Sequence, residues 1–220
     1  MRGVSIAMFF LFALMDTAST RVGAELASSH HDFGGQGWSG NEMCRPCHTP
    51  HGSDTAITDA PLWNHTLSSA TYQLYSSSTL DAAPMQPLGA SKLCLSCHDG
   101  TVALDSFGGQ TGGTSITFGS IGLNLANHHP ISMAYNSAVA ATDGQLHDPS
   151  SAPSGLGGVI AEDLLFDGRL ECSSCHDVHV ARNTSGCNGC HDIHQPENSE
   201  TLSLRITTTG SALCLTCHTK

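Results

Sequence analysis

Cations are scarce in this sequence. Its 220 residues hold eight Lys and Arg against 19 Asp and Glu, a formal charge of −11. That balance excludes nucleic acid and acidic membrane surfaces as partners. Aromatic residues are few, with two Trp, three Tyr and seven Phe beside 23 Gly. A chain so composed cannot fill an ordinary side-chain core. Past the N-terminus no apolar run is long enough to cross a bilayer, so no integral membrane segment is expected. Long amphipathic helical periodicity is missing as well. Lone cysteines are also absent, because all ten fall in pairs of one spacing.

That spacing is C-x-x-C, and each copy is followed directly by His. The copies are Cys44-x-x-Cys47-His48, Cys94-x-x-Cys97-His98, Cys172-x-x-Cys175-His176, Cys187-x-x-Cys190-His191 and Cys214-x-x-Cys217-His218. Zinc sites need no His at that position, and disulfide frameworks space their cysteines irregularly. C-x-x-C-H is the attachment signature of c-type haem. The two thiols add to haem vinyl groups as thioethers, and the adjacent His binds the iron. Five covalent c-type haems are therefore expected.

The N-terminus reads as a secretory signal over residues 1–24. Arg2 supplies a charge, Val4 to Leu14 an apolar run of about eleven residues, and Val22-Gly23-Ala24 a small-residue cleavage site. Export fits haem attachment outside the cytoplasm. Residues 25–220 are expected to form a single multihaem domain, with roughly 39 residues for each haem. At that ratio the porphyrins themselves would be the core, wrapped by loops and short helices in a linear array with little regular secondary structure.

The chain repeats. Cys44–His51 reads C-x-x-C-H-x-x-H, followed by S-x-L-C-L-x-C-H at Ser91–His98. Cys172–His179 and Ser211–His218 repeat that order, and Cys187–His194 reads as an inserted motif. Neighbouring haems are expected to share ligands across the two halves. Locally, the sequence predicts an extended arm over Glu25–Asn41 and a short strand at Thr71–Tyr75. It also predicts a hairpin within Thr111–Leu125, a loop over Asp143–Gly158 and a turn between short strands at Leu164–Leu170.

The second iron ligand is to be found among His30, His31, His51, His65, His128, His129, His147, His179 and His194. Methionines are too few for five haems, so bis-His ligation is the reading. His51, His179 and His194 each follow a motif His by three. On one helical turn both imidazoles point the same way, so each trailing His must reach a different haem. Pro130 stiffens the presentation of His129. His31 stands in the arm ahead of the first motif. His65 is the reserve candidate, and a surface His bonding a propionate is the competing reading for it.

C-x-x-C-H-T-P-H at Cys44, A-P-L-W-N at Ala60, C-L-S-C-H-D-G-T-V-A at Cys94, H-P-I-S at His129 and L-F-D-G-R-L-x-C-S-S-C-H-D-V-H at Leu165 resemble the doubled-C-x-x-C-H cytochromes. Within these the chain is most similar to outer-surface multihaem cytochromes of the OmcE type. The resemblance implies haem pairs in a line, little secondary structure, an axial His that bridges subunits, and distal ligands at His31, His51, His129 and His179. It departs at Cys187–His194, since chains of that type carry four haems and this one has five motifs.

The expected function is extracellular electron transfer by the subunit of a polymeric filament at or beyond the outer cell surface. Its partners would be copies of itself joined head to tail through His31, other redox cytochromes and extracellular electron acceptors. The flexible Gly-rich tether at Phe33–Gly37 suggests that His31 docks on a neighbouring subunit. The alternatives are a monomeric periplasmic electron shuttle and a multihaem reductase of small oxyanions. A reductase needs one iron with an open face, and the histidines outnumber the five vacancies.

Overall fold

The structure, a computed structural model, describes Leu26 and residues 29–179 and 204–220. The signal segment at 1–24 and the fourth motif with its trailing histidine, Cys187–His194, lie outside the described residues.

Regular structure is sparse. Among the described residues there are five short α-helices: α1 (Gly89–His98), α2 (Ser137–Asp143), α3 (Ile160–Asp163), α4 (Cys172–Cys175) and α5 (Ala212–Cys217). Two-residue strands β1 (Met133–Ala134) and β2 (Arg169–Leu170) pair antiparallel, with Met133 opposite Leu170. No helix among the described residues is long and apolar enough to cross a membrane.

α1 is the longest helix because Ala90, Leu93 and Leu95 are good helix formers with one buried face. It stops at Gly100, whose φ of 76° belongs to the left-handed region and whose N–H caps the Cys97 carbonyl at 3.1 Å. Leu95 is 1% exposed and packs with Tyr72 and Leu125. The second half has its own cluster, in which Tyr135, Ile160, Leu164, Leu165, Leu170 and Ile206 pack against Leu213 and Cys217 of α5. Side chains thus form two small cores, where the composition pointed to none. Each lies against an S-x-L-C-L-x-C-H helix.

The two halves meet where α1 packs on α4. The Cys172 N–H donates to Ser91 Oγ at 2.8 Å. Ser132 Oγ donates to Glu171 Oε2 at 2.7 Å, while the Ser132 carbonyl accepts from the Met85 N–H at 3.2 Å. Ser132 is fully buried at a positive φ of 52°. It ties the approach to α1, the strand β2 and the start of α4 into one junction.

The local expectations fare unevenly. The turn at Leu164–Leu170 is present. Asp167 and Gly168 both have positive φ, 52° and 69°, as a tight two-residue hairpin turn requires, and Phe166 pairs with Arg169. The hairpin within Thr111–Leu125 is absent. Asp105 Oδ1 accepts from the Gly113 and Thr114 amides at 2.9 and 2.7 Å, taking donors that a ladder would use. Thr71–Tyr75 forms a single bridge, Gln73 with Asn124, because the Gln86 side chain occupies both backbone groups of Tyr72. The arm does not stay extended. It turns through the 3₁₀ segment Gly37–Ser39 and folds onto the body.

Candidate haem-binding centres

Four C-x-x-C-H motifs fall within the described residues, and they share one local geometry. The motif His N–H donates to the carbonyl of the first Cys, at 2.8 Å for His48 on Cys44, 3.0 Å for His176 on Cys172 and 2.9 Å for His218 on Cys214. His98 ends α1 in the same register. One helical turn therefore puts both sulfurs and the imidazole on neighbouring faces.

The eight described cysteines are all free, so they form no disulfide framework. Burial, with Cys44 nearby, pushes the Cys47 thiol up to about 11, and burial pushes Cys97 up to about 12 and Cys217 up to about 11. These three thiols are neutral at physiological pH, whereas Cys172 is lowered by its hydrogen bond with Cys94. A hydrogen bond to Cys172, together with burial, also raises Cys94. The second and third attachment sites are thus in direct contact across the α1–α4 junction.

Backbone groups aim the imidazoles. His48 Nδ1 donates to the Pro61 carbonyl and His98 Nδ1 to the Gly119 carbonyl, both at 2.7 Å. His129 Nδ1 donates to the Pro130 carbonyl at 2.9 Å, and His179 Nδ1 to Asp177 Oδ1 at 3.1 Å. A carbonyl oxygen only accepts, so Nδ1 carries the proton and Nε2 keeps its lone pair for a metal. His65 is held differently. Nδ1 lies 2.9 Å from the Thr66 carbonyl and Nε2 3.1 Å from the Ala103 carbonyl, so whichever nitrogen bears the proton has a carbonyl to donate to.

Three ring pairs stand out. His31 faces His98 with centroids 5.9 Å apart, His179 faces His48 at 6.1 Å, and His129 faces His218 at 6.3 Å. Each joins the His of a C-x-x-C-H to one expected distal histidine. An imidazole nitrogen lies about 1.1 Å from its ring centroid and a bound transition metal about 2 Å further, so imidazoles on opposite sides of one metal have centroids about 6.2 Å apart. The pairs match that separation. Burial, with His98 and His30 adding to it, lowers His31 to about 4. It is therefore neutral at physiological pH, the form that binds metal.

Two further observations test the fit of a haem. Trp63 Nε1 and Ser173 Oγ are buried without a hydrogen-bond partner. Trp63 pairs with His48, and Ser173 lies inside the third motif. Both orphaned groups thus adjoin attachment sites, where a bound group with polar edges would satisfy them.

Not every expected ligand is placed this way. His31 was expected to reach another subunit, but it lies against His98 of its own chain. Its arm is pinned by the Ser29–Leu26 and Asp32–Gly34 turns and by Ser39 Oγ on the Phe33 carbonyl, which removes the freedom the glycines suggested. His51 is exposed, and its ring meets no other among the described residues. His191, His194, Cys187 and Cys190 lie outside the described residues. His30 stacks on Phe118 at 5.0 Å. Sequence reasoning missed Trp63 as a site residue, although A-P-L-W-N had marked its segment. It also missed Asp99, buried directly after the second motif. Asp99 accepts from Ser68 Oγ, Tyr72 OH and Thr101 N at 2.5, 2.6 and 2.7 Å.

Repeated C-x-x-C-H turns, thiols free of disulfides and paired imidazoles are the features of a c-type cytochrome with several haems. The family described as the doubled CXXCH motif matches residues 179–220. That match indicates a multihaem c-type cytochrome, a class of electron carriers, with haem attached covalently at its C-x-x-C-H motifs. No curated protein matches the chain.

Proposed function

We propose that the protein transfers electrons outside the cytoplasm along a row of five bis-His c-type haems, and that it does so as the subunit of a filament. The observation that carries the ligation is the set of three ring pairs. In it, His31, His179 and His129 would complete the iron ligands begun by His98, His48 and His218. Haem between two imidazoles supplies one-electron chemistry at low potential. The chain's own residues hold the imidazoles by their Nδ1 protons, pack Cys217 against the second small core and bring the second and third attachment sites into contact. A reductase needs an iron with one protein ligand, and these pairs offer two.

The filament reading is supported by the resemblance to OmcE-type chains. With His31 engaged at home, His51 is, among the described distal candidates His31, His51, His129 and His179, the one that is exposed and pairs with no motif histidine. A head-to-tail contact that does not close gives an open polymer. The monomeric shuttle is the second reading, favoured by that same inward placement of His31.

Intact mass of the exported protein tests the haem count, with five haem masses expected above the apoprotein. The oxidised protein should give low-spin signals alone. A high-spin signal would mean an iron lacking its second histidine. Negative-stain images of the secreted material separate filament from monomer.

A further inference from the structure

Trp63 carries a hydrogen-bond donor that no described residue accepts. Its side chain is 9% exposed, and Nε1 is buried without a partner. Leaving a buried N–H unpaired forfeits its bond to water with nothing in return. A native site rarely carries that cost unless something outside the chain accepts the proton.

The surroundings narrow what that acceptor is. The indole stands edge-on to the His48 ring, at 6.2 Å and 90°, and close to the His65 ring at 6.5 Å. His48 Nδ1 is taken by the Pro61 carbonyl, and both His65 nitrogens face carbonyls. The Trp63 carbonyl accepts from the Asp54 amide at 2.9 Å. A trapped water needs two to four polar partners. The nearby His48 Nδ1 and the Trp63 carbonyl already have partners, so a water at this N–H would find few. A haem carboxylate can keep its remaining lone pairs toward solvent while it accepts from this N–H, and such a charge-assisted bond is worth about twice a neutral one. His65 Nε2 lies 3.5 Å from Cys97 Sγ, so the indole stands between the first and second attachment sites.

We infer that Trp63 Nε1–H donates to a propionate carboxylate of the haem attached at Cys44 and Cys47, making Trp63 a cofactor-binding residue that sets the orientation and potential of that haem. The inference rests on the multihaem reading and adds to it a residue outside the C-x-x-C-H and histidine sets. A donor on the propionate withdraws negative charge from the haem edge. Its loss favours the oxidised, more positive iron and lowers the potential.

The test is Trp63→Phe, which keeps an aromatic ring and removes the N–H, with Trp38→Phe as control. Trp38 lies among Phe33 and Phe107, 5.4 and 6.2 Å away. Trp63→Phe should keep every haem by mass, move one midpoint to more negative potential and shift the propionate bending band in the resonance Raman spectrum. Trp38→Phe should change neither. Unchanged midpoints and band in Trp63→Phe overturn the inference while leaving the cytochrome reading intact. Unaltered protein that carries no haem by mass overturns both. If Trp63→Phe fails to fold, the fully reduced, diamagnetic unaltered protein decides. Its two indole N–H signals are resolved by ¹⁵N labelling, and one should be exchange-protected and displaced as a carboxylate-bonded donor is. Two freely exchanging indoles overturn the inference.

Discussion

His179 trails the third motif, yet its ring lies 6.1 Å from that of His48 in the first, with the ring planes 32° apart. The second half of the chain thereby reaches into a site of the first half. Asp177 holds the His179 ring from behind through Nδ1. His179→Ala should therefore disturb the haem held by Cys44 and Cys47 and spare the haem attached at Cys172 and Cys175. All haem masses should remain, and one low-spin signal should turn high-spin in the oxidised protein. Isotope-edited Raman or sequential motif deletion would locate the change. A change confined to the third motif would mean that the trailing His serves its own neighbourhood only.

Much of this arrangement was legible in the residues. C-x-x-C-H fixes a local turn by covalent spacing alone, so the attachment sites needed no tertiary knowledge. The three-residue offset between His176 and His179 forbids sharing one iron, and the His179 ring lies beside His48 of the first motif. Asp167-Gly168 announced its turn because few other pairs tolerate two positive φ angles. The rest depended on contacts that no local pattern carries. Asp105 captures the Gly113 and Thr114 amides from eight and nine residues away, which dissolved the expected hairpin. His31 sits on a glycine-rich tether that reads as free, and its docking on His98 is set by turns and a buried Ser39 hydroxyl. Leu95 looked like part of a motif and proved to be the centre of a small core.

That core gives a stability prediction. Leu95 fills the space between Tyr72 and Leu125 at the middle of α1. Leu95→Ala keeps the helix, since Ala is the best helix former, and leaves a cavity. Such truncations cost about 2–5 kcal/mol. Denaturant unfolding of the haem-loaded protein should show that loss, with haem stoichiometry unchanged. A cost below about 1 kcal/mol would mean that the bound haems, and not these side chains, hold the first half together.

Acid should act on the second half through Asp163. Ser154 Oγ and the Gly158 amide donate to its Oδ2, the amide at 2.8 Å, and these bonds hold its carboxyl below the usual range. A carboxyl depressed in the folded state contributes stability above its ordinary titration near pH 4, and that contribution is lost as pH falls through the folded value. Asp163→Asn should therefore lower the thermal midpoint at neutral pH and flatten its decline below about pH 4. Equal declines in both proteins would place the acid sensitivity on other carboxyls.

Assembly separates His31 from His51. His31 is neutral and half-buried against His98, so His31→Ala should alter the haem at Cys94 and Cys97 even in isolated subunits. His51 is exposed, and its described contacts are to Thr49 alone, whose hydroxyl donates to the His51 carbonyl at 2.9 Å. No described residue fixes the imidazole, so removing it should leave the spectrum of isolated subunits unchanged. If a neighbouring subunit receives that ring at an iron, His51→Ala should abolish filaments in negative stain and shift sedimentation to the monomer. His31→Ala should assemble with its one altered haem. The opposite pattern, filaments lost with His31 and kept without His51, would mean that the arm leaves His98 on assembly and docks on the next subunit. Filaments that survive both substitutions with every iron low-spin would place the joint on protein contacts, and electrons would then cross it between haems that share no ligand.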